Sequence, residues 1–453
     1  MPLYRLLIAT LFLANPDNAV GAPVRMETWS EKTTDAAGKV AMVSVTGEIW
    51  TEAFQADLDT DGRLHIPARA KPYYLDGPLV MKSGQRLTAD PTAEIRLKPG
   101  TNTCMVRNAN LVGFAEQAVP AETHPDTDIT IEGGIWTTLK LDGNAHGNLR
   151  GASAAKQPVP GSHGVILLHN VRKVSVRNVT VRQSMPFAIH LGNVREFTVD
   201  GLTLDRHGRD GVHVDGPASE GVIRHVRGDS HDDPVSLTAW DWKQYSASFG
   251  PIRNILIERI TGSPTGKGST DAIRLLPGIK RFRDGTLLDC PITDITMRDI
   301  TDIRDFKLYD QPNLELGRAN DFSVGVGTLK NITFEKLTLN HLGSIKVHAQ
   351  TEGLIVRDVK LLFTPPAGYH FIEIGPWSAT YKHKPSDPAT WVEIFSPDLD
   401  CTVRNLAATG VRTRDAVSDL PVEQVVKVVE LKPNPAYPKT TPKGGTGKGI
   451  WIR

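Results

Sequence analysis

Three aspartates stand out by type and spacing. Asp232 and Asp233 are consecutive, and Asp210 precedes Asp232 by 22 residues. Carboxylates held close together repel, and that repulsion raises the pKa of one of them toward the range of a general acid. A protonated carboxyl on one side of a glycosidic bond and a carboxylate-held water on the other can hydrolyse it, with the two groups roughly 6.5–9.5 Å apart in inverting enzymes. A single aspartate at a turn is ordinarily just a solvated turn residue. Three that come into register suggest chemistry, so the question is what brings them together.

A recurring phrase does. Gly164-Val165-Ile166-Leu167 returns as Ala188-Ile189-His190-Leu191, Gly211-Val212-His213-Val214, Pro234-Val235-Ser236-Leu237, Ala272-Ile273-Arg274-Leu275, Asp305-Phe306-Lys307-Leu308 and Ser344-Ile345-Lys346-Val347. Each alternates with the two-residue period of a strand. The first steps read 24 (165 to 189), 23 and 23 residues. Further apolar phrases follow each one, as in Val174/Val176, Phe197/Val199 and Ile332/Phe334. Three short strands per step of about 23 residues is the pattern of stacked coils. The expected fold is therefore all-β, a single right-handed parallel β-helix.

With coils about 4.8 Å apart, side chains form columns. One outward column reads Ile166, His190, His213, Ser236, Arg274, Lys307 and Lys346. A second, placed at the corner feeding the strand, reads His163, Phe187, Asp210, Asp233, Asp271, Arg304 and Gly343, with Asp232 beside it. The histidines would hydrogen-bond sugar hydroxyls, and the cations would bind a sugar carboxylate. Trp240 and Trp242 follow the acid pair, where an indole face can stack on a pyranose. Tyr309 and Asp271 flank the cations and would close the pocket. Each has a plainer reading: packing tryptophans, buried histidines, a solvated cation stripe.

The tract Arg209-Asp210-Gly211-Val212-His213-Val214-Asp215-Gly216, with Ser230-His231-Asp232-Asp233-Pro234-Val235, resembles the polygalacturonase-type enzymes, glycoside hydrolase family 28. Lys82-Ser83-Gly84-Gln85-Arg86-Leu87 is similar to that family's opening coil. The resemblance covers roughly residues 70 to 360. It implies Asp232 as the general acid, with Asp210 and Asp233 activating the water, and Arg274 binding a substrate carboxylate. It departs from the family pattern in three places. Gly208-Arg209 replaces Asn-Thr, Leu276 stands where a lysine is expected, and the Gly-His-Gly motif is absent. His213 or His231 would take over that histidine's role.

Residues 1–22 read as a signal peptide: Arg5, then the apolar run Leu6–Ala14, then small residues at Gly21-Ala22. The chain is thus expected to be exported, periplasmic or secreted, with no membrane partner after cleavage. Residues 23–75 would form an N-terminal cap, 76–362 the catalytic coils, and 363–453 a C-terminal cap and tail. The formal net charge of +1 argues against a nucleic-acid partner. Three cysteines, Cys104, Cys290 and Cys401, lie too far apart for a disulfide framework or a metal set. No cofactor or metal is expected, and nothing in the sequence specifies an oligomeric state.

The expected activity is inverting hydrolysis of a poly- or oligosaccharide, from a chain end and on a uronate sugar. The steps of 38 (235 to 273) and 39 (306 to 345) residues, the loop before His163 and the Trp240–Gly250 segment would wall the groove into a pocket. Three alternatives remain: an exo-glycosidase for a neutral sugar such as an α-galactoside, a β-helix lyase whose acids bind Ca²⁺, and a non-catalytic carbohydrate-binding surface protein.

Overall fold

A computed structural model describes residues 25–34, 38–120, 123–139, 159, 162–241, 246–263, 272–309, 327–339 and 344–362, with short strands at Ile372–Ile374, Val392–Phe395, Val426–Val428 and Gly449–Ile452. The expected signal peptide, Trp242 and Asp271 lie outside these residues. Among the described residues no helix is long and apolar enough to cross a membrane.

The fold is all-β with parallel pairing between coils. Ile166 pairs with Ile189, Ile189 with Val212, Val212 with Val235, Val235 with Ile273, Ile273 with Phe306 and Phe306 with Ile345. All seven are fully buried. The ladder two residues on, from Leu168 through Leu191, Val214, Leu237 and Leu275 to Leu308, is buried as well. A fully buried aliphatic side chain contributes about 1.5–3 kcal/mol, so these rows supply the core that no coil can make alone.

The register corrects the sequence alignment by one residue. Ile189 sits on Ile166, not Val165, and His190 pairs with Leu167. Leu167, not Ile166, therefore stands in the column that continues through His190, His213, Ser236, Arg274, Lys307 and Lys346, with Arg107 beneath it. The step from 166 to 189 is then 23 residues, equal to the next two.

Two rows of left-handed residues turn each coil. Lys173, Glu196, Glu220, Asn254, Asp294 and Asn331 have φ between 53° and 59°. Each precedes a paired residue of the row Val174, Phe197, Gly221, Ile255, Ile295 and Ile332. Five residues later come Asn178, Gly201, His225, Arg259, Asp299 and Lys336, again with positive φ. Such backbone is costly for residues with a side chain. Its recurrence at one spacing fixes the length of that side of every coil. Gly221 serves a different need: the Phe197 ring occupies the space where a Cβ would sit, 2.2 Å away.

The ends differ from expectation. A hairpin, Arg25–Thr34 paired antiparallel with Val40–Ile49, leads into the helix Thr51–Asp61. Phe54 and Leu58 of that helix are fully buried on the first coil. The Gln55 side chain bonds both the N–H and the C=O of Val80, which answers backbone groups a bare strand edge would expose. Parallel pairing begins inside the segment expected to be cap, with Ile49 on Tyr74 and then Arg63–Ile66 on Arg86–Ala89. It runs on past 362, through Ile372 and Val426.

Because Lys173 is exposed and strained at φ 56°, Lys173→Gly should raise stability by up to about 1 kcal/mol, and Lys173→Val should lower it. Thermal melts of the two variants check the role given to the left-handed row.

Candidate active site

Asp210 and Asp233 immediately precede the strands Val212–Arg224 and Val235–Thr238. Their backbones are neighbours, with the Gly211 N–H donating to the Asp233 carbonyl at 2.9 Å. They therefore lie at the corner where the sequence placed them. Carboxylate oxygens of Asp210, Asp232 and Asp233 all come within 4.8 Å of one another. That is closer than the 6.5–9.5 Å of the inverting arrangement, so spacing alone does not assign the stereochemistry.

The three acids have different surroundings. Asp233 is fully buried, its carboxylate paired with Arg274 and, at 3.1 Å, with Lys307. It anchors two cations, which corrects the expectation that it holds the water. Asp210 is 2% exposed and is bound by His213 Nδ1 at 2.7 Å. Burial alone would raise its pKa, but the His213 hydrogen bond and charge, with Arg274 and Arg209, hold it well below the usual carboxylate range. The Asp232 side chain remains 25% exposed, with Arg274 at 3.6 Å and Arg209 at 3.9 Å. Burial and the neighbouring Asp210 and Asp233 charges push it up to about 7, against the opposing pull of the two arginines.

A buried chain stands behind Asp210. His213 Nε2 lies 3.2 Å from Asp215 Oδ1, and His190 Nε2 lies 2.9 Å from Asp215 Oδ2. The His163 backbone N–H donates to His190 Nδ1 at 3.0 Å, so His190 presents its Nε2–H to Asp215. Asp215 also accepts from Thr238 Oγ1, Ser246 Oγ and the Ala247 N–H. Burial would raise its pKa, but the charge and hydrogen bonds of His190 and His213 outweigh it and keep the carboxylate ionised. His213 stacks on the Phe187 ring, with centroids 4.0 Å apart. Burial alone would strip its proton, yet hydrogen bonds to Asp210 and Asp215 raise its pKa to about 9. Burial pushes His190 the other way, so it stays neutral near pH 7.

This arrangement corrects several expectations. His190 and His213 are buried and bonded to aspartates, so they do not reach a sugar. The outward side of their strands is covered: the Phe114 N–H bonds the Ala247 carbonyl, and the Ser248 hydroxyl bonds the Gly216 carbonyl. The described part of the Trp240–Gly250 segment therefore lines the body and does not wall the groove. Trp240 is 5% exposed and packs over Gly278, where a Cβ would lie 2.5 Å from the indole. It is a packing residue, with no face open to a pyranose. Arg274 and Lys307 turn to Asp233, and Lys346 pairs with Asp305 at 3.0 Å, so they are not an open cation stripe. His231 is exposed at the rim beside Asp232. Tyr309 lies in the strand Asp305–Tyr309.

Asp215, Arg209 and Thr238 were not singled out from the sequence. The signal for Asp215 was present: it lies two residues after His213, and alternation puts both on the same side of the strand. Its column neighbour is Gly192. A Cβ there would meet the His169 ring at 2.3 Å, so only glycine leaves room for His169 beside Asp215.

Among solved structures, the chain is similar to a family 28 exopolygalacturonase from Yersinia enterocolitica, at 14% identity over 91% of this chain and 85% of that one, with a TM-score of 0.48. It is also similar to a hyperthermoactive exopolygalacturonase from Thermotoga maritima, at 12% identity over 81% and 88%, with a TM-score of 0.46. PfbA, a surface adhesin of Streptococcus pneumoniae, matches at 13% identity over 80% and 87%, with a TM-score of 0.40. No family model and no curated protein matches the chain. At these identities and TM-scores the weight of a functional reading falls on the residues themselves.

Two outcomes follow. Asp232 is held above its ordinary 3.8, so folding favours its neutral form. The associated stability is complete below about pH 4 and is lost as pH rises through about 7. Asp232→Asn should melt higher than the native chain at pH 8, with the gain vanishing near pH 4; a lower melting point at pH 8 contradicts the assignment. Asp215→Asn removes the carboxylate that helps keep His213 charged. The imidazole midpoint of His213, followed by NMR, should then fall from about 9 toward its ordinary value.

Proposed function

We propose that the chain is a single right-handed parallel β-helix acting as an exported glycoside hydrolase, which releases an acidic sugar from a chain end with inversion. The observation that carries this reading is the split among the three acids. Asp232 is partly exposed and protonated near pH 7, Asp210 is recessed and held ionised, and Asp233 is buried against two cations.

Asp232 is the general acid. It meets solvent, keeps its proton to about pH 7 and can pass it to the glycosidic oxygen. Asp210 is the carboxylate partner. Its side chain is 3% exposed, too recessed to bond a sugar carbon but open to a water held on its free oxygen. A recessed carboxylate that acts through water supports inversion, because a covalent nucleophile must touch the anomeric carbon. Support for an acidic sugar comes from the cations beside Asp232. Arg274 lies 3.6 Å and Arg209 3.9 Å from its carboxyl. A sugar held for protonation by Asp232 would bring its own carboxylate close to both guanidinium groups. Cutting from an end rests on residues 264–271 and 310–326 within the 38- and 39-residue steps, which lie outside the described residues. Export rests on the N-terminal run alone.

Product analysis on uronate and neutral glycans tests the reading. Reducing ends should appear without the ultraviolet absorbance of an unsaturated sugar, and proton NMR should show the inverted anomer first. Asp232→Asn should lower turnover by at least about 100-fold in a protein that still folds. Activity of the native chain should fall as pH rises through about 7. Ultraviolet-absorbing products would instead mean a lyase, and preference for a neutral glycoside would remove the acidic-sugar assignment.

A further inference from the structure

A second recess lies away from the acids. Its volume is about 340 Å³, and it is lined by Arg172, Arg195 and Arg253, with Asn170, Asn193 and Ser219 among them. The register explains why the arginines gather. Arg172 pairs with Arg195, Arg195 with Ser219 and Ser219 with Arg253, so they share one column over four coils. Thr293 and Lys330 continue that column. Ser219 follows His213 by six residues on the same strand, at most about 20 Å of extended chain. Between the two, the pairing slips at Gly192/Val194. The recess therefore shares coils with the acid cluster but sits past the bend that ends its face.

The charges there are not balanced. Arg195 pairs with Glu220 at 2.6 Å and approaches Glu196 at 3.7 Å. Arg172 is exposed and makes no ion pair among the described residues. Like charges directly opposite each other in a sheet are destabilising, so the Arg172–Arg195 neighbours are a feature the fold carries at a cost. An anionic ligand would offset it.

The rest of the lining narrows the ligand. A guanidinium matches a carboxylate with two parallel hydrogen bonds. Pro125, Pro217 and Pro251 give flat apolar walls suited to the C–H faces of a sugar. Asn193 donates to Asn170 Oδ1 at 3.0 Å, which leaves its own amide oxygen to accept from a hydroxyl. No aromatic ring lines the recess, whereas single-stranded nucleic acids bind on aromatic platforms. A column with cations on three of four successive coils, about 4.8 Å per step, suits a polymer that carries repeated carboxylates.

We propose that this recess is a second saccharide site, which binds carboxylates of an acidic glycan and tethers the polymer while its end is processed at the acids. The choice of an acidic glycan rests on the proposed substrate class; the anion site itself rests only on the recess and its arginines. Tethering would raise the local concentration of chain ends without any new contact at the acids.

Calorimetry with oligogalacturonate on the full chain tests it, using the native protein, the Arg172→Ala/Arg253→Ala double variant and Asp232→Asn. Both arginines are exposed, and circular dichroism confirms that the double variant folds. The expected result is a loss of affinity of at least about tenfold in the double variant, with Asp232→Asn keeping the arginine-dependent binding. Carboxyl-reduced oligosaccharide should bind the native chain no better than oligogalacturonate binds the double variant. The idea is overturned by unchanged binding in the double variant, by loss of that binding in Asp232→Asn, or by equal affinity for the carboxyl-reduced sugar. Tighter binding of a single-stranded oligonucleotide, or no oligogalacturonate binding at all, overturns it too. Arginine-dependent binding without any hydrolysis would keep this site and sink the hydrolase reading instead.

Discussion

The constraint on which the rest depends is the coil spacing. Once strands pair in parallel register, every side chain lies about 4.8 Å from its counterparts above and below. Apolar columns turn that proximity into a continuous core, as in the row from Ile166 to Ile345. Polar columns cannot relax in the same way. A charge placed on one coil must be answered by the next coil or left to repel it. The column from His190 to Lys346 and the corner acids beside it are answers of this kind: Arg274 meets Asp233 one coil back, Lys346 meets Asp305 one coil back, Lys307 reaches Asp233 two coils back, and His213 pairs within its own coil.

Those answers form an order. Asp215 sits deepest, receives donors from three elements and stays ionised. Its charge and that of Asp210 keep His213 protonated, and His213 in turn keeps Asp210 ionised. Burial and the negative charge on Asp210 and Asp233 then favour a proton on Asp232. The buried pairs are worth little to net stability, since desolvation offsets much of their attraction. What they define is which carboxyl holds a proton at neutral pH. The fold accepts a less stable corner at alkaline pH and holds a protonated carboxyl there toward neutral pH.

The coils and their acids were legible because period-two apolar phrases and a constant step depend on sequence distance alone. The strand alignment slipped by one residue at Val165 because two consecutive aliphatics, Val165 and Ile166, satisfy the pattern equally well. The left-handed row was hidden because Lys173, Glu196 and Glu220 carry no turn signature; stacking imposes that backbone on residues that do not prefer it. The helix Thr51–Asp61 was missed for a related reason: only Phe54 and Leu58 are buried, too few to set a clear period. The roles of His190, His213 and Trp240 were misread because alternation tells which side of a strand a residue faces, not whether another segment covers that side. Residues 246–250 do cover it, and that contact joins positions about 32 apart in sequence, as from Ala247 to Asp215.

Under the proposed role of Asp232 as general acid, two arginines complete its chemistry. A general acid must hold its proton before reaction and tolerate the negative charge afterwards. Carboxylates alone would do the first and oppose the second, because repulsion that raises a pKa also destabilises the conjugate base. Arg274 at 3.6 Å and Arg209 at 3.9 Å from Asp232 pull the other way, so its pKa settles near neutral pH and does not climb further. Both lie beyond ordinary hydrogen-bond length from Asp232, while Arg274 is held close on Asp233. As Asp232 gives up its proton, Arg274 needs only a small shift toward the new carboxylate, because Lys307 keeps Asp233 paired at 3.1 Å. The cation between two consecutive aspartates can thus answer the charge that appears on Asp232, while Lys307 keeps the buried Asp233 compensated.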